Sequence, residues 1–216
     1  MSLQQRFNRG EVIEFGKPTL VLASASSRRT KQLAKFGLDF VQIVSTFDDS
    51  SVNYNFPHTG VSIDQAKSYS ATMALEKLKP FIEKIKNGAV VAADTIIFCS
   101  GRIIEKPITK ERCREQHEFI SGKTVSRCNA LAVYYDGRTL SEVTIGDVLI
   151  APLPKQVIEE IANESETLNC AGYNRGGAIA PYVLTDAPRT GGIEVPVVLD
   201  LLSKLGFAQE QASQQS

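Results

Sequence analysis

The segment AVVAADTIIFCS, residues 89–100, is the most informative stretch of the chain. A nearly continuous apolar run of this length, with several β-branched residues, predicts a strand buried inside a sheet. Asp94 interrupts the run, and an unpaired carboxylate inside a buried strand is costly. We therefore expect Asp94 either to lie at the strand end facing a cleft, or to bind a cation or a positive side chain. We favour catalysis over an Asp that caps a turn or pairs with one lysine. Thr95 either hydrogen-bonds the same ligand or is only a good strand residue.

Elements on both sides of this strand predict a mixed α/β fold. Upstream, residues 18–23 (PTLVLA) form a short strand that feeds a helix ending at Gly37, and residues 62–86 have helical spacing that is broken near Pro80. Downstream, Asp136-Gly137 separates two strand-like segments and predicts a hairpin. Further helices are predicted for residues 109–120, 154–162 and 194–205, and further strands for residues 40–44 and 103–106. We expect a mixed sheet with two lobes around a central cleft.

No repeat or clear linker divides the chain. We therefore expect one domain of two lobes over residues 17–207. In this interpretation residues 1–16 form an N-terminal extension, and the polar residues 208–216 (AQEQASQQS) form a disordered tail.

The charges of the chain are balanced. It has 24 Lys and Arg residues against 24 Asp and Glu residues, and a pI of about 6.7. It therefore lacks the broad cationic field that a nucleic acid polymer or an anionic membrane surface requires, although a local cluster can still bind a small anion. No apolar run is long enough for a signal peptide or a membrane span, so we expect a cytoplasmic protein without membrane contact.

The four cysteines do not indicate a metal site. They form no C-x-x-C pair, and only His58 and His117 are available as imidazole ligands beside them. We interpret them as buried structural thiols.

The junction after the first predicted strand reads SASSRR, residues 24–29. Arginines in the first turn of a helix oppose its dipole by about 0.3–1 kcal/mol each unless an anion offsets them. Backbone N–H groups, small hydroxyls and two guanidiniums around one turn suit a phosphate chain. The simpler alternative is that Ser24 or Ser26 caps the helix while both arginines point into water, but the whole cluster favours an anion site.

Two weaker signals involve charged residues near turns. Pro107 holds Lys106 extended, and a hairpin about Gly101 would bring Lys106 opposite residues 94–97, so that a carboxylate and an ammonium could meet there. The adjacent carboxylates of residues 48–49 could hold Mg²⁺ through one or two oxygens, although such pairs are more often solvated.

Residues 121–124 (SGKT) imitate the end of a nucleotide-binding P-loop. The first glycine of that motif would have to stand at His117, and the element before it is a helix instead of a strand. We therefore reject a P-loop and interpret Gly122 as a helix C-cap.

Several of these segments together resemble the Maf family, also called septum-formation-inhibitor-like proteins. The matching segments are LASASSRR (22–29), FDD (47–49), ADT (93–95), Gly101 with EKP (105–107), SGK (121–123) and GIEVP (192–196). The resemblance covers most of the chain and implies a fold related to the inosine triphosphate pyrophosphatases. It also implies hydrolysis of nucleoside triphosphates to monophosphate and pyrophosphate with Mg²⁺ or Mn²⁺, and it favours a homodimer.

The resemblance implies a cluster of cations around the substrate. Ser24, Arg28 and Arg29 resemble the residues that grip the phosphates. Lys77, within A-L-E-K, resembles a helical lysine of the site, and Lys106 resembles the lysine of a Gly-Lys-Pro or Glu-Lys-Pro motif.

The resemblance to the Maf family also assigns roles to two acidic residues, and it shows where this sequence departs from the family pattern. Asp94 matches a general base and metal ligand, and Asp49 stands where a metal-binding Glu is usual. Ser27 replaces a Pro, Asn129 replaces a Thr, and residues 170–177 (CAGYNRGG) lack a Gln that is associated with substrate selection. The missing Gln bears on specificity more than on chemistry.

Three functions remain open from the sequence. The leading one is cleavage of the α,β-phosphoanhydride of a pyrimidine or non-standard nucleoside triphosphate. Within the resemblance, Glu-Lys-Pro in place of Gly-Lys-Pro favours the pyrimidine type. The second is the same chemistry on a methylated guanine nucleotide. The third is a nucleotide-binding regulator of cell division without catalysis, for which the missing Gln and the short Asp49 argue.

Overall fold

The computed structural model describes residues 1–48, 58–168, 170–174, 176–184 and 192–208. The strands are β1 (Ile13–Leu22), β2 (Phe40–Gln42), β3 (Ile85–Cys99), β4 (Arg102–Ile104), β5 (Thr124–Tyr135), β6 (Arg138–Ile150) and β7 (Val183–Leu184). The helices are α1 (Leu3–Asn8), α2 (Ser27–Lys35), α3 (Ile63–Leu78), α4 (Lys110–Ile120), α5 (Lys155–Asn163), α6 (Ser165–Leu168) and α7 (Val195–Lys204). Short 3₁₀ turns follow α3 and precede β7.

The described strands form one sheet in the order β2-β1-β3-β5-β6-β7, with β4 paired to β3. β1 runs parallel to β2 and to β3, and the other pairs are antiparallel. The predicted mixed sheet is confirmed. The predicted hairpin is confirmed as well, because Asp136 and Gly137 have φ values of 46° and 76°, which a tight turn between twisted strands requires.

The central strand β3 has an opening along one edge. β5 pairs with one edge continuously from Val90 to Phe98. On the other edge, β1 pairs last at Val91 and β4 pairs first at Ile97. Residues 92–96 therefore have no partner strand on that edge within the described part of the chain, and Asp94 lies at the middle of this opening.

Side chains along β3 alternate between two faces of the sheet. Val90 and Ala92 pack in a core with Ala74 and Leu78 of α3, so this face is covered by α3. Val91 and Ala93 pack with Val198 and Leu201 of α7 on the opposite face. Farther along that second face, Ile97 and Cys99 belong to a separate core with residues of α4 and α5. The opening at Asp94 thus lies at the boundary between cores.

Some predicted boundaries were wrong for a physical reason. The helix ends at Leu78 because Pro80 interrupts it, and residues 85–86, expected in the helix, belong to β3. Pairing of Ile85 with Ile13 of β1 extends the strand toward its N-terminus. β4 ends at Ile104, two residues earlier than predicted.

The first 16 residues pack onto the sheet. Residues 3–8 form α1, and Ile13 begins β1. Phe7 and Ile13 are buried in the core with α3. None of the helices in the described residues is long and apolar enough to cross a membrane.

Candidate active site

Asp94 meets a lysine in the opening of β3. The Nζ atom of Lys77 lies 2.6 Å from Oδ1 of Asp94, and only 8% of Asp94 is exposed. Each charge offsets the desolvation of the other, which explains how an acidic residue persists in this apolar strand. Of the alternatives given for Asp94, the structure shows the pairing with one lysine, and the catalytic role stays a prediction. Its other carboxylate oxygen, Oδ2, has no hydrogen-bond or ion-pair partner among the described residues.

The end of α3 holds Lys77 in place. Lys77 lies in the last turn of the helix, where a cation interacts favourably with the helix dipole. The hydroxyl of Ser45 donates a hydrogen bond of 2.7 Å to the backbone carbonyl of Lys77, and it accepts one from the N–H of Phe47 at 3.2 Å. The loop that leads toward Asp49 therefore passes beside Lys77. Asp49 itself lies outside the described residues.

The SASSRR turn is built partly as a cap and partly as an open cationic surface. Ser26 is the N-cap of α2 and accepts from the N–H of Arg29 at 3.5 Å. The hydroxyl of buried Ser24 accepts from the N–H of Ser26 and from the guanidinium of Arg29, both at 3.2 Å. Arg28 is exposed and forms no side-chain hydrogen bond or ion pair within the described part of the chain. Arg28 is thus available to an anion, whereas Arg29 and Ser24 already contact each other.

Thr95 lies on the other face of β3. Its hydroxyl is 2.7 Å from Oδ1 of Asn129, the residue directly opposite on β5. Nδ2 of Asn129 donates to Oε1 of Glu194 at 3.3 Å, and the hydroxyl of Thr144 donates to the same Oε1 at 2.5 Å. The structure therefore does not bring Thr95 into contact with Asp94. A role for Thr95 toward the substrate stays a prediction.

The Glu-Lys-Pro segment forms no hydrogen bond or ion pair with Asp94 in the part of the chain that the structure describes. The β3–β4 register pairs Ile97 with Ile104 and then ends, so Lys106 lies beyond the ladder and is exposed. The carboxylate of Glu105 lies 3.6 Å from His58 and 4.0 Å from Arg112. The ammonium that meets Asp94 thus belongs to Lys77, and the position of Lys106 in the site stays a prediction.

The cysteines and His117 behave as core residues. Three of the four thiols are buried and Cys170 is half-buried, in agreement with the structural interpretation. Burial raises the pKa of Cys113, and it raises the pKa of Cys128 to about 11, which disfavours the nucleophilic thiolate form of both side chains. Burial lowers the pKa of His117, and its Nδ1 lies 2.7 Å from the carbonyl of Cys113. No group of three or more His, Cys, Asp or Glu residues in the described ranges is arranged to hold a metal ion.

Glycine at position 192 allows the segment before α7 to approach α2. Gly192 has φ of 99°, and a Cβ atom there would lie 2.4 Å from Oε1 of Gln32. The N–H of Ile193 donates to that same oxygen at 3.1 Å. The GIEVP segment is thereby attached to the helix that carries Arg28 and Arg29.

Sequence reasoning from the residues alone missed two parts of this site. Lys77 was indicated only by the family resemblance, because one lysine in a polar helix face has no distinguishing pattern. Glu194 was overlooked as a functional residue. Its signal is a single carboxylate inside the apolar run I-E-V-P-V-V, the same kind of anomaly that marks Asp94.

Comparison with known proteins identifies the family of this chain. The family described as Maf-like protein matches residues 19–183, and the chain belongs to this family. A dTTP/UTP pyrophosphatase of Methanococcoides burtonii is 31% identical over 88% of this chain and 96% of its own length. A nucleoside triphosphate pyrophosphatase of Microcystis aeruginosa is 26% identical over 87% of this chain and 95% of its own length.

Among solved structures, a HAM1 protein from Coxiella burnetii is similar to this chain at 17% identity. The match has a TM-score of 0.38 and covers 66% of this chain and 75% of that one. This similarity is too low to support a conclusion about the site.

Proposed function

We propose that this protein hydrolyses the α,β-phosphoanhydride of a nucleoside triphosphate and releases a nucleoside monophosphate and pyrophosphate. The observation that carries the proposal is the ion pair of Asp94 with Lys77 at 2.6 Å, placed in the opening of the central strand. The names of the relatives, dTTP/UTP pyrophosphatase and nucleoside triphosphate pyrophosphatase, support the same reaction. They also support pyrimidine nucleotides as the substrate class, in line with the Glu-Lys-Pro segment.

The cations of the site serve the phosphate end of the substrate. A triphosphate carries several negative charges, and cleavage redistributes charge over the phosphoryl and leaving oxygens. In this proposal Ser24, Arg28 and Arg29 bind the phosphates, and Lys77 and Lys106 add positive charge. Fixed cations act most strongly on the charge that develops in the transition state, so these residues lower the barrier as well as bind.

Asp94 serves the attacking water. Lys77 holds one carboxylate oxygen, and the remaining oxygen can accept a proton from water or orient it toward the α-phosphorus. The water oxygen forms the new bond to phosphorus, and the bond from the α-phosphorus to the bridging oxygen breaks. Pyrophosphate leaves with the bonding electrons.

A divalent cation fits this arrangement. Mg²⁺ is commonly held by one or two carboxylates together with substrate phosphates and water, so a single oxygen of Asp94 is sufficient as a starting ligand. Asp94 and Asp49 would hold Mg²⁺ or Mn²⁺, Asp49 lying outside the described residues. Such an ion, when bound, neutralises negative charge on the phosphate oxygens.

A nucleotide panel tests the reaction. Ordinary and modified nucleoside triphosphates, including methylated guanine nucleotides, are incubated with Mg²⁺ and with Mn²⁺, and monophosphate and pyrophosphate are measured separately. Equal amounts of both products, with dTTP or UTP among the best substrates, are expected. Release of diphosphate and inorganic phosphate would contradict the proposed bond. Tight binding without any product would favour the non-catalytic regulator.

The oligomeric state and location belong to the same proposal. The family resemblance favours a homodimer, and the lack of an apolar run of signal-peptide or membrane-spanning length in the sequence favours the cytoplasm. Analytical ultracentrifugation at several protein concentrations measures the mass, and a monomer at all of them would contradict the dimer.

A further inference from the structure

A chain of hydrogen bonds with a defined direction crosses the α7 face of the sheet. The carboxylate of Glu194 can only accept, so Asn129 must present its NH₂ group to it. The amide oxygen of Asn129 then faces Thr95, whose hydroxyl must donate. The hydroxyl of Thr144 donates to Glu194 from the other side. The donors and acceptors of this network are therefore fixed by the carboxylate.

The network leaves one oxygen of Glu194 without a partner. Both bonds, from Asn129 and from Thr144, end on Oε1, and Oε2 has no hydrogen bond or ion pair within the residues that the structure describes. Glu194 is the N-cap residue of α7, yet its side chain does not cap that helix. It is half-buried, and Oε2 is not among the buried atoms that lack a partner, so Oε2 is accessible to solvent. A rigidly held acceptor is thus presented outward.

The position of Glu194 points to the nucleoside end of the substrate. Its network reaches Thr95, which adjoins Asp94 at the opening of β3. The preceding residue, Ile193, is bonded to Gln32 on α2, the helix that carries the two arginines. A carboxylate repels phosphate oxygens, so a triphosphate bound at those arginines would keep its phosphates away from Glu194.

We propose that Oε2 of Glu194 accepts a hydrogen bond from the nucleoside part of the substrate and thereby determines which nucleotides are hydrolysed. The donor is a hydroxyl of the sugar or an N–H of the base, since a carboxylate recognises both in the same way. This inference rests on the proposed function.

The variant Glu194→Gln isolates the free oxygen. The amide oxygen of Gln can still accept from Asn129 and Thr144, while its NH₂ group replaces Oε2, so the network persists and only the outward acceptor is lost. Steady-state kinetics are measured with UTP, dUTP, 3′-deoxy-UTP and N3-methyl-UTP. A hydrogen bond to a charged group supports a loss of about 10- to 100-fold in kcat/KM for UTP, expressed mainly in KM.

The nucleotide analogues identify the donor. For the analogue that lacks the donor, kcat/KM of the wild-type protein is expected to be about 10- to 100-fold below its value for UTP. The variant Glu194→Gln should not lower kcat/KM for that analogue any further. A lower kcat/KM for dUTP or 3′-deoxy-UTP identifies a hydroxyl of the sugar as the donor. A lower kcat/KM for N3-methyl-UTP identifies the N–H of the base as the donor. Because the analogue series requires no mutation, equal hydrolysis of all four nucleotides by the wild-type protein would overturn the inference even if the variant is unstable.

Matched controls separate this role from a structural one. Glu142→Gln changes an exposed carboxylate on the same strand as Thr144 and should leave every kinetic constant unchanged. If wild-type protein hydrolyses UTP but treats all four nucleotides alike, or if Glu194→Gln reduces all of them equally, the inference is overturned while the proposed function stands. If wild-type protein releases pyrophosphate from none of them, the proposed function fails first.

Discussion

Two neighbouring residues of β3 show how differently the two faces of the sheet are used. Asp94 points toward α3 and pairs with the ammonium of Lys77. Thr95 points toward α7 and joins a network that ends on Glu194. Both polar side chains lie where β3 has no partner strand along one edge among the described residues, so a ligand bound in this opening would border both faces.

The difference suggests a division of labour. A carboxylate held by a lysine can handle a proton and a cation, whereas a network of amide, hydroxyl and carboxylate groups with fixed polarity suits recognition of donors on a ligand. In our proposal the α3 face supplies the chemistry and the α7 face supplies selectivity. The following variants test this division.

The largest effect is expected for Asp94→Asn. The amide keeps the size of the side chain but cannot accept a proton from water, so turnover should fall by about 10²- to 10⁴-fold. Triphosphate binding, measured by calorimetry, should persist because the phosphate-binding cations remain. Pyrophosphate release at the wild-type rate would refute the assignment of Asp94.

A smaller effect is expected for Lys77→Met. Removing the ammonium leaves a nearly buried carboxylate without its partner, which should lower the free energy of unfolding by about 1–3 kcal/mol and reduce kcat about 10-fold or more. Urea unfolding and steady-state kinetics measure both quantities.

Lys67→Met is the control for this change, because Lys67 is on the same helix but its ion pair with Asp64 is exposed. Equal effects of the two variants on stability and turnover would show that the Lys77 pair has no special importance.

Thr95→Val should affect stability more than turnover. The substitution removes the donor to Oδ1 of buried Asn129, which should lower the free energy of unfolding by about 1–2 kcal/mol while kcat changes only a few-fold. Thr139→Val, on an exposed position of β6, is the control. If Thr95→Val lowered turnover as much as Asp94→Asn, the proposed difference in role between the α3 face and the α7 face would be refuted.

The smallest effect concerns His117, which lies away from both faces of the opening. Because burial lowers its pKa in the folded state, the unfolded chain binds a proton more readily as the pH falls below about 6.5. The contribution of His117 to stability is therefore full above pH 6.5 and declines below it, by at most about 1.4 kcal/mol per pH unit until its lowered pKa is reached. Urea unfolding at pH 7.5 and 5.5 should show this decline in the wild type and less of it in His117→Gln.

Much of the fold was predictable because local patterns agree with it. The hairpin at Asp136-Gly137, the helix after SASSRR and the buried central strand follow from turn chemistry, capping and apolar runs. The beginning of β3 was not predictable, because residues 85–86 become strand only through pairing with residues at the start of β1. Pairing over such a distance along the chain leaves no local signal.

The candidate site shows the same limit. The sequence alone marked Asp94 as costly in an apolar strand, and it left open whether a cleft or a positive partner offsets that cost. The hairpin register suggested Lys106 as that partner, and only the packing of α3 against β3 assigned the role to Lys77, which is 17 residues away along the chain.

The sequence by itself thus indicated the types of element, the family and the presence of an acidic residue whose burial in an apolar strand is costly. The tertiary structure decided which cation compensates it, that Asp94 and Thr95 face opposite sides, and that Glu194 joins the network of Asn129 and Thr144. The physical reason is that the apolar neighbours of a charged residue along the chain already indicate the desolvation cost of burying it. The residue that offsets this cost depends on which elements pack together in the fold.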